Sequence, residues 1–406
     1  MNKINRWCVL AGLILTSTIL FAQSSDNPKE QIPILAWYGV SPKESTVERY
    51  MELRQSGITH NFTFFANVEE LATAMEAAKK AGIKMIIHCP ELEKEPEKIA
   101  RRFKNHQALA GYFLRDEPGR SSFPVLSEWA KRIQSVDDKH FCYLNLFPNY
   151  APKEALGTDT YREHVQLFIQ EVPLQLLSFD HYPIVTDPQG NRVIRGEWYE
   201  NLEIFSDEAR KAGKPFWAFA LTVAHGPYPI PTPAEIRLQV FSNLAYGAQG
   251  IQYFTYWTPS INEGQDFHHG PIDYDTRKRT EVYDYISVIN SEIRNLSKVF
   301  LDAEVISISH TGDIIPAGTH PLNTLPGVIT KLETEGKGAI ISHLKKGETS
   351  YLVVVNRDFE KEMFLTIEGD KRLKRMLKDG SVVNANTYIS KLSVAPGDIC
   401  IYLWES

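Results

Sequence analysis

Two stretches place carboxylic acids where an apolar run breaks off, a setting in which they could move protons. Gly111-Tyr112-Phe113-Leu114 runs into Arg115-Asp116-Glu117-Pro118, and Leu176 to Phe179 runs into Asp180-His181-Tyr182-Pro183. Two carboxyls facing one another can cleave an acetal. One, kept protonated, gives its proton to the leaving oxygen; the other, ionised, meets the developing positive charge on the sugar carbon directly or through water. Burial among rings raises one carboxyl pKa, while hydrogen bonds keep the other ionised. Rings and amides complete such a site, because a sugar's apolar face stacks on Trp or Tyr while amides and His bind its hydroxyls. The sequence offers these at the ends of other apolar runs: Trp37 and Tyr38, His88 with Glu91 beyond, Asn145 with Asn149 beyond, His225, and Tyr256 with Trp257.

Residues so far apart in the chain meet only if the elements carrying them end at one place. From residue 34 onward, short apolar, β-branched or aromatic runs alternate with longer amphipathic stretches, the signature of βα units. Eight strands are expected: Ile34 to Val40, His60 to Phe65, Lys84 to Cys89, Leu109 to Leu114, His140 to Leu146, Leu176 to Phe179, Pro215 to Thr222 and Gly250 to Trp257. Between them Leu71, Met75 and Ala78 mark a helix over Val68 to Ala81, and a second runs over Ala234 to Tyr246. Glycines 82 and 213 suit the left-handed residue that closes a helix. Eight such units close into a (β/α)8 TIM barrel spanning residues 30–300, whose site lies at the carboxyl ends of the strands. An open doubly wound sheet is the structural alternative, but Val40-Ser41-Pro42-Lys43 stands where its glycine-rich phosphate loop would be. The connections Val185 to Glu197 and Pro259 to Arg277 are long, as functional loops often are. Past Leu301 the pattern shortens to alternating runs with Gly-Asp and Lys-Gly turns, which reads as a small antiparallel β-sandwich over 301–406.

Lys3 and Arg6 precede an apolar run from Trp7 to Phe21 that ends in small and polar residues, the pattern of a signal peptide over 1–24. The expectation is an exported chain, periplasmic or extracellular, with no membrane span after cleavage. The formal net charge of −6 becomes more acidic when the two leader cations are lost, and offers no basic patch for nucleic acid. Cys89, Cys142 and Cys400 form neither a disulfide framework nor a metal spacing and read as buried small hydrophobes. Asp266 with His268-His269 lacks a third ligand at matching spacing, so neither a metal nor another cofactor is expected.

Gly111 to Pro118 resembles the strand-four end of the large clan of retaining barrel glycosidases, where Asn-Glu-Pro carries the acid/base glutamate. Tyr253-Phe254-Thr255-Tyr256-Trp257 is similar to that clan's eighth strand, which ends in a Trp flooring the sugar subsite. The resemblance covers about residues 33 to 300 and implies that Glu117 is the proton donor and Trp257 the platform. Two departures stand out. Asp116 replaces the clan's Asn, an acceptor-only group for an amide, and the clan's strand-seven nucleophile has no counterpart, because residues 216 to 225 contain no acid. Asp180 is one replacement. A second arrangement resembles α-galactosidase-like barrels, with Asp116 as nucleophile; a third resembles chitinase-like barrels, in which a lone strand-four Glu works with the substrate's own acetamido group. The expectation is therefore a glycoside hydrolase acting on an oligo- or polysaccharide. Glu117, Asp180 and Asp116 are its candidate acids, and Trp37, Tyr38, His88, Arg115, Asn145, His181, Tyr182, His225, Tyr256 and Trp257 its candidate sugar contacts. A glycan-binding barrel that does not cut, and a polysaccharide lyase with Arg115 and the histidines holding a uronate, are the alternatives.

Overall fold

Strands Ile34–Trp37, His60–Phe62, Lys84–Ile87, Leu109–Asp116, Phe141–Asn145, Leu177–Phe179, Phe216–Leu221 and Gly250–Phe254 pair in parallel in a computed structural model. That model describes residues 31–260, 265–385 and 391–405. Numbered one to eight along the chain, these strands run in the order five-four-three-two-one-eight-seven-six. A bridge between Leu146 and Phe179, with the Leu146 amide donating to the Ser178 carbonyl at 2.8 Å, joins strand five to strand six and closes the ring. The expected barrel is present, with each strand within a few residues of its sequence bounds. The expected signal peptide lies outside the described residues.

Alternation along each strand divides the core into two layers. Ile34 and Ala36 face the helices, while Leu35 and Trp37 face the barrel axis. The axis is filled by Phe62, Ile86, Phe113, Tyr143, Trp217 and Phe219, so the interior is a packed plug and not a pore. Such large rings fit because glycines stand opposite them. A Cβ on Gly111 would come within 2.6 Å of the Phe141 carbonyl, and one on Gly250 within 2.5 Å of the Trp217 ring.

The helices begin where the chain supplies caps. Asn67 accepts from the amides of Glu69 and Glu70 ahead of Val68–Ala81, and Thr232 with Glu235 forms a capping box ahead of Pro233–Ala245. Gly82, at φ 72°, closes the first of these. The long connection after strand six folds into a two-stranded ribbon, Ile184–Thr186 with Arg192–Ile194.

Beyond the barrel a six-stranded and a three-stranded antiparallel sheet form the expected β-rich C-terminal region. Ile341, Leu352, Val354 and Trp404 meet Met363 and Leu365 between the sheets. The other face of the larger sheet, with Ile340, Leu344, Val353 and Val355, joins the barrel's own core against helices Pro233–Ala245 and Glu281–Phe300. Arg237 pins this junction. It holds Glu292 through two contacts, one of them 2.8 Å, and lies 3.5 Å from Asp398, all three side chains being mostly buried. Arg237→Ala leaves two carboxylates with only Lys378 beside them. It should cost roughly 3 kcal/mol in urea unfolding; a loss near zero would mean that the pair does not hold the junction.

Candidate active site

Strand four carries a bulge that decides what faces the mouth. Phe113 pairs with Tyr143 and Asp116 with Asn145, so Leu114 and Arg115 stand against Leu144 alone. The extra residue re-aims the side chains beyond it, as bulges do beside functional sites. Arg115 turns outward, donating to Ser122 Oγ at 3.3 Å and lying 4.0 Å from Glu93. Asp116 and Glu117 turn to the mouth. Glu117 has a φ of 43°, left-handed for a residue with a side chain, and its amide donates to the Asn145 carbonyl at 2.8 Å. Non-glycine residues held in this region cost energy and cluster at functional sites.

Asn145 joins the carboxyls. Its Nδ2 donates to Asp180 Oδ1 at 2.7 Å and to Asp116 Oδ1 at 3.3 Å, so those oxygens are no further apart than the two distances laid end to end. A buried chain fixes which way the amide points. Tyr143 OH donates to Gln252 Oε1, Gln252 Nε2 donates to Ser178 Oγ at 2.8 Å, and Ser178 Oγ donates to Asn145 Oδ1 at 3.0 Å. With its oxygen engaged from below, Asn145 can present only its NH2 to the acids. Tyr143, Ser178 and Gln252 are not among the residues expected from sequence. A polar Ser and Gln inside strands otherwise facing an aromatic plug are the signal that could have found them.

Glu117 and Asp180 lie close enough for each to shift the other's titration. Burial first, then the Asp116 carboxylate, pushes Glu117 up to about 7, against a smaller pull the other way from Asp180. Burial and then Glu117 hold Asp180 well above the ordinary carboxylate range, although the Asn145 amide favours its ionised form. The pair therefore titrates as one unit and keeps a shared proton at neutral pH. Asp116 is also pushed up to about 7, by burial first and then by Asp180. Since Asp116 is exposed to the mouth, water moderates that push.

Aromatic side chains wall the mouth. Tyr182 lies 5.5 Å from Phe254 and 5.8 Å from Tyr228 between ring centroids, and Tyr38 lies 6.1 Å from Phe254. His88 packs against Phe64 at 5.2 Å, and His225, at the end of strand seven, lies between Tyr228 and Phe267. Burial holds the pKa of both histidines below the usual value, and takes His181 to about 3 with help from Arg195. These rings are neutral at pH 7.

Several expected sugar contacts stand elsewhere. Trp37 is buried on the axis among Phe62, Phe113 and Phe219, beneath the mouth. Tyr256 points out of the barrel toward Tyr283 on the last barrel helix. Trp37 faces inward but lies too deep, inside the plug, whereas strand eight ends at its inward ring Phe254 and its alternation does not carry on to Tyr256. Trp257 lines a side cleft of about 390 Å³ with Tyr38, Phe64 and Tyr274, and the Arg49 guanidinium lies 5.3 Å from its ring. A cavity of about 590 Å³ opens at the opposite end among Pro33, Thr59, His60 and Lys84, where the strands begin. It contains none of the acids, and in this architecture that end serves stability. Cys89, Cys142 and Cys400 are buried and free, and no group of three metal-ligating side chains exists among the described residues.

Residues 146–296 match the family model of glycoside hydrolase family 42, described as beta-galactosidase. This stretch begins just past Asn145, so it includes Asp180 but neither Asp116 nor Glu117. The curated beta-galactosidase BgaA of Planococcus sp. (strain 'SOS Orange') is 25% identical over 136 residues, 32% of this chain; the match spans only 19% of that relative. A family-42 beta-galactosidase from G. stearothermophilus, solved as a catalytic mutant, superposes with a TM-score of 0.60 at 10% identity, covering 93% of this chain and 98% of that one. The barrel is glycoside hydrolase-like. A family-5 glycoside hydrolase from Bacteroides vulgatus gives 0.55 at 12% identity over 92% and 89% of the two chains, so the likeness extends through the C-terminal sheets.

Proposed function

We propose that this chain is an exported glycoside hydrolase that cleaves oligo- or polysaccharides at the C-terminal mouth of its barrel. The observation that carries this reading is the convergence of Asp180 and Asp116 on the Asn145 amide, with Glu117 held beside them by the Asn145 carbonyl, so that carboxyls from different strands meet and share a proton inside a ring-walled mouth. Glu117 delivers the proton to the leaving oxygen. Asp180, raised by burial and by Glu117, supplies the negative charge opposite the sugar carbon once an entering sugar parts the two acids and leaves the Asn145 amide to favour its ionised form. Asp116 shares the same amide, and its ionised form pushes the Glu117 carboxyl up. The match to beta-galactosidases makes β-galactosides the first substrates to try, and Lys3, Arg6 and the apolar run to Phe21 support export.

The test is release of reducing ends or aryl alcohol from a panel of glycosides, run beside calorimetry on the same sugars. Turnover is the expected result. Sugar binding with no turnover across the panel would instead identify a glycan-binding barrel, the outcome that the absence of an acid after strand seven invites.

A further inference from the structure

The ribbon after strand six carries two arginines with different surroundings. Arg192 donates twice to the buried Glu235, at 2.8 and 2.7 Å. Arg132 holds Glu97 at 2.7 Å through two nitrogens, and Arg102 holds Glu69 likewise. These are structural pairs. The Arg195 guanidinium, by contrast, comes no closer than 3.5 Å to either Glu197 Oε1 or the Tyr228 hydroxyl, and its buried Nε has no partner. Two rings hold it, Tyr150 at 4.7 Å and Tyr228 at 5.8 Å, while about a quarter of the side chain stays open to solvent. Tyr150 and Tyr228 thus flank the guanidinium.

This wall adjoins the acids. Tyr228 packs against Tyr182, two residues past Asp180. His181, between them in sequence, lies edge-on to Tyr150 at 5.0 Å; it is 1% exposed and neither ring nitrogen has a hydrogen-bond partner. The wall thus holds a planar cation fixed by stacking, two phenols and unsatisfied nitrogens. An arginine is retained in this state where its planar fork of donors meets an anion that arrives from outside. The protein is acidic and the mouth itself bears three carboxyls, so an acidic sugar could settle here only against a dedicated cation.

We infer that the mouth takes an acidic glycan, with the carboxylate of a uronic acid or the sulfate of a sulfated sugar seated on Arg195 between the Tyr150 and Tyr228 hydroxyls. This names the substrate class of the site proposed above, but recognition of the charge can be read without turnover. The experiment is calorimetry on the full chain and on Glu117→Gln with glucuronate, galacturonate, a 6-sulfated galactose and the neutral parent sugars, at low and high salt. Both proteins should bind at least one acidic sugar about ten-fold tighter than its neutral parent, with high salt reducing that preference. The uronate and sulfate arms identify which anion is meant. Arg195→Ala should abolish the preference, and Arg195→Lys, which keeps the charge and loses the fork, should keep part of it. Equal binding of acidic and neutral sugars by the unaltered chain, or a preference surviving in a folded Arg195→Ala, overturns the inference. Should Arg195→Ala fail to fold, the comparison of acidic with neutral sugars in the unaltered chain decides alone. Acidic sugars that bind and are never cleaved would leave this inference standing and remove the hydrolase reading.

Discussion

Glu117→Gln is expected to lower kcat/KM for glycosides with poor leaving groups by about 10³-fold, the scale of a lost general acid. The glutamine keeps the size and the hydrogen-bonding reach but has no proton to give. Leaving-group chemistry makes the result specific: a dinitrophenyl glycoside departs without protonation, so its cleavage should suffer far less than that of an alkyl glycoside. The pH profile supplies a second reading. Because Glu117 is pushed up to about 7, activity should fall on the alkaline side as the proton is lost, and that limb should vanish in Glu117→Gln for the activated substrate. Thermal unfolding at pH 7 separates chemistry from damage, since removing one of three crowded acids should not lower Tm. Full activity on the alkyl glycoside would take Glu117 out of the reaction and leave Asp116 as the acid.

The barrel is legible in the sequence because its signals are local and repeated. Strand eight's Gly250 to Phe254 and the helix Val68–Ala81 announce themselves by period and caps, and eight such units leave few ways to close. Which side chain faces the mouth is a finer matter. A single extra residue in strand four turns Arg115 out and the two acids in, and nothing in Arg115-Asp116-Glu117 marks it. Strict alternation would place Tyr256 on the inward face with Gln252 and Phe254, but strand eight ends at Phe254, so the alternation no longer holds two residues on. The network of Tyr143, Ser178 and Gln252 escapes a reading of the sequence for a related reason: buried polar residues on separate strands acquire meaning only when closure brings them within hydrogen-bond distance. Arg195 stands in a connection notable in the sequence only for its length, and the looseness of its pairing with Glu197 is a fact of packing that no pattern in the chain records.

Asp180→Asn should produce the opposite of a trade between two losses: hydrolysis falls by about 10³-fold or more, while the protein becomes more stable at neutral and alkaline pH. The activity loss should be similar for good and poor leaving groups, because the carboxylate faces the sugar carbon in both cases. The stability gain comes from linkage. Asp180 and Glu117 sit above the ordinary carboxylate range in the folded chain, so between about pH 4 and 7 the folded state holds protons that the unfolded state has released. Their contribution to stability is thus fully present below the unfolded pKa and is lost as pH rises through the folded one. The substituted side chain would carry no charge, and its amide oxygen could still accept from Asn145, so the change removes that penalty without orphaning the Asn145 NH2. Melting curves at pH 4 and pH 8 read this directly: the variant should match the unaltered chain at pH 4 and exceed it by a few degrees at pH 8. An Asp180→Asn protein that melts lower at pH 8 would mean that the ionised carboxylate is stabilising where it stands, and the shared proton on which the chemistry depends would have no physical basis.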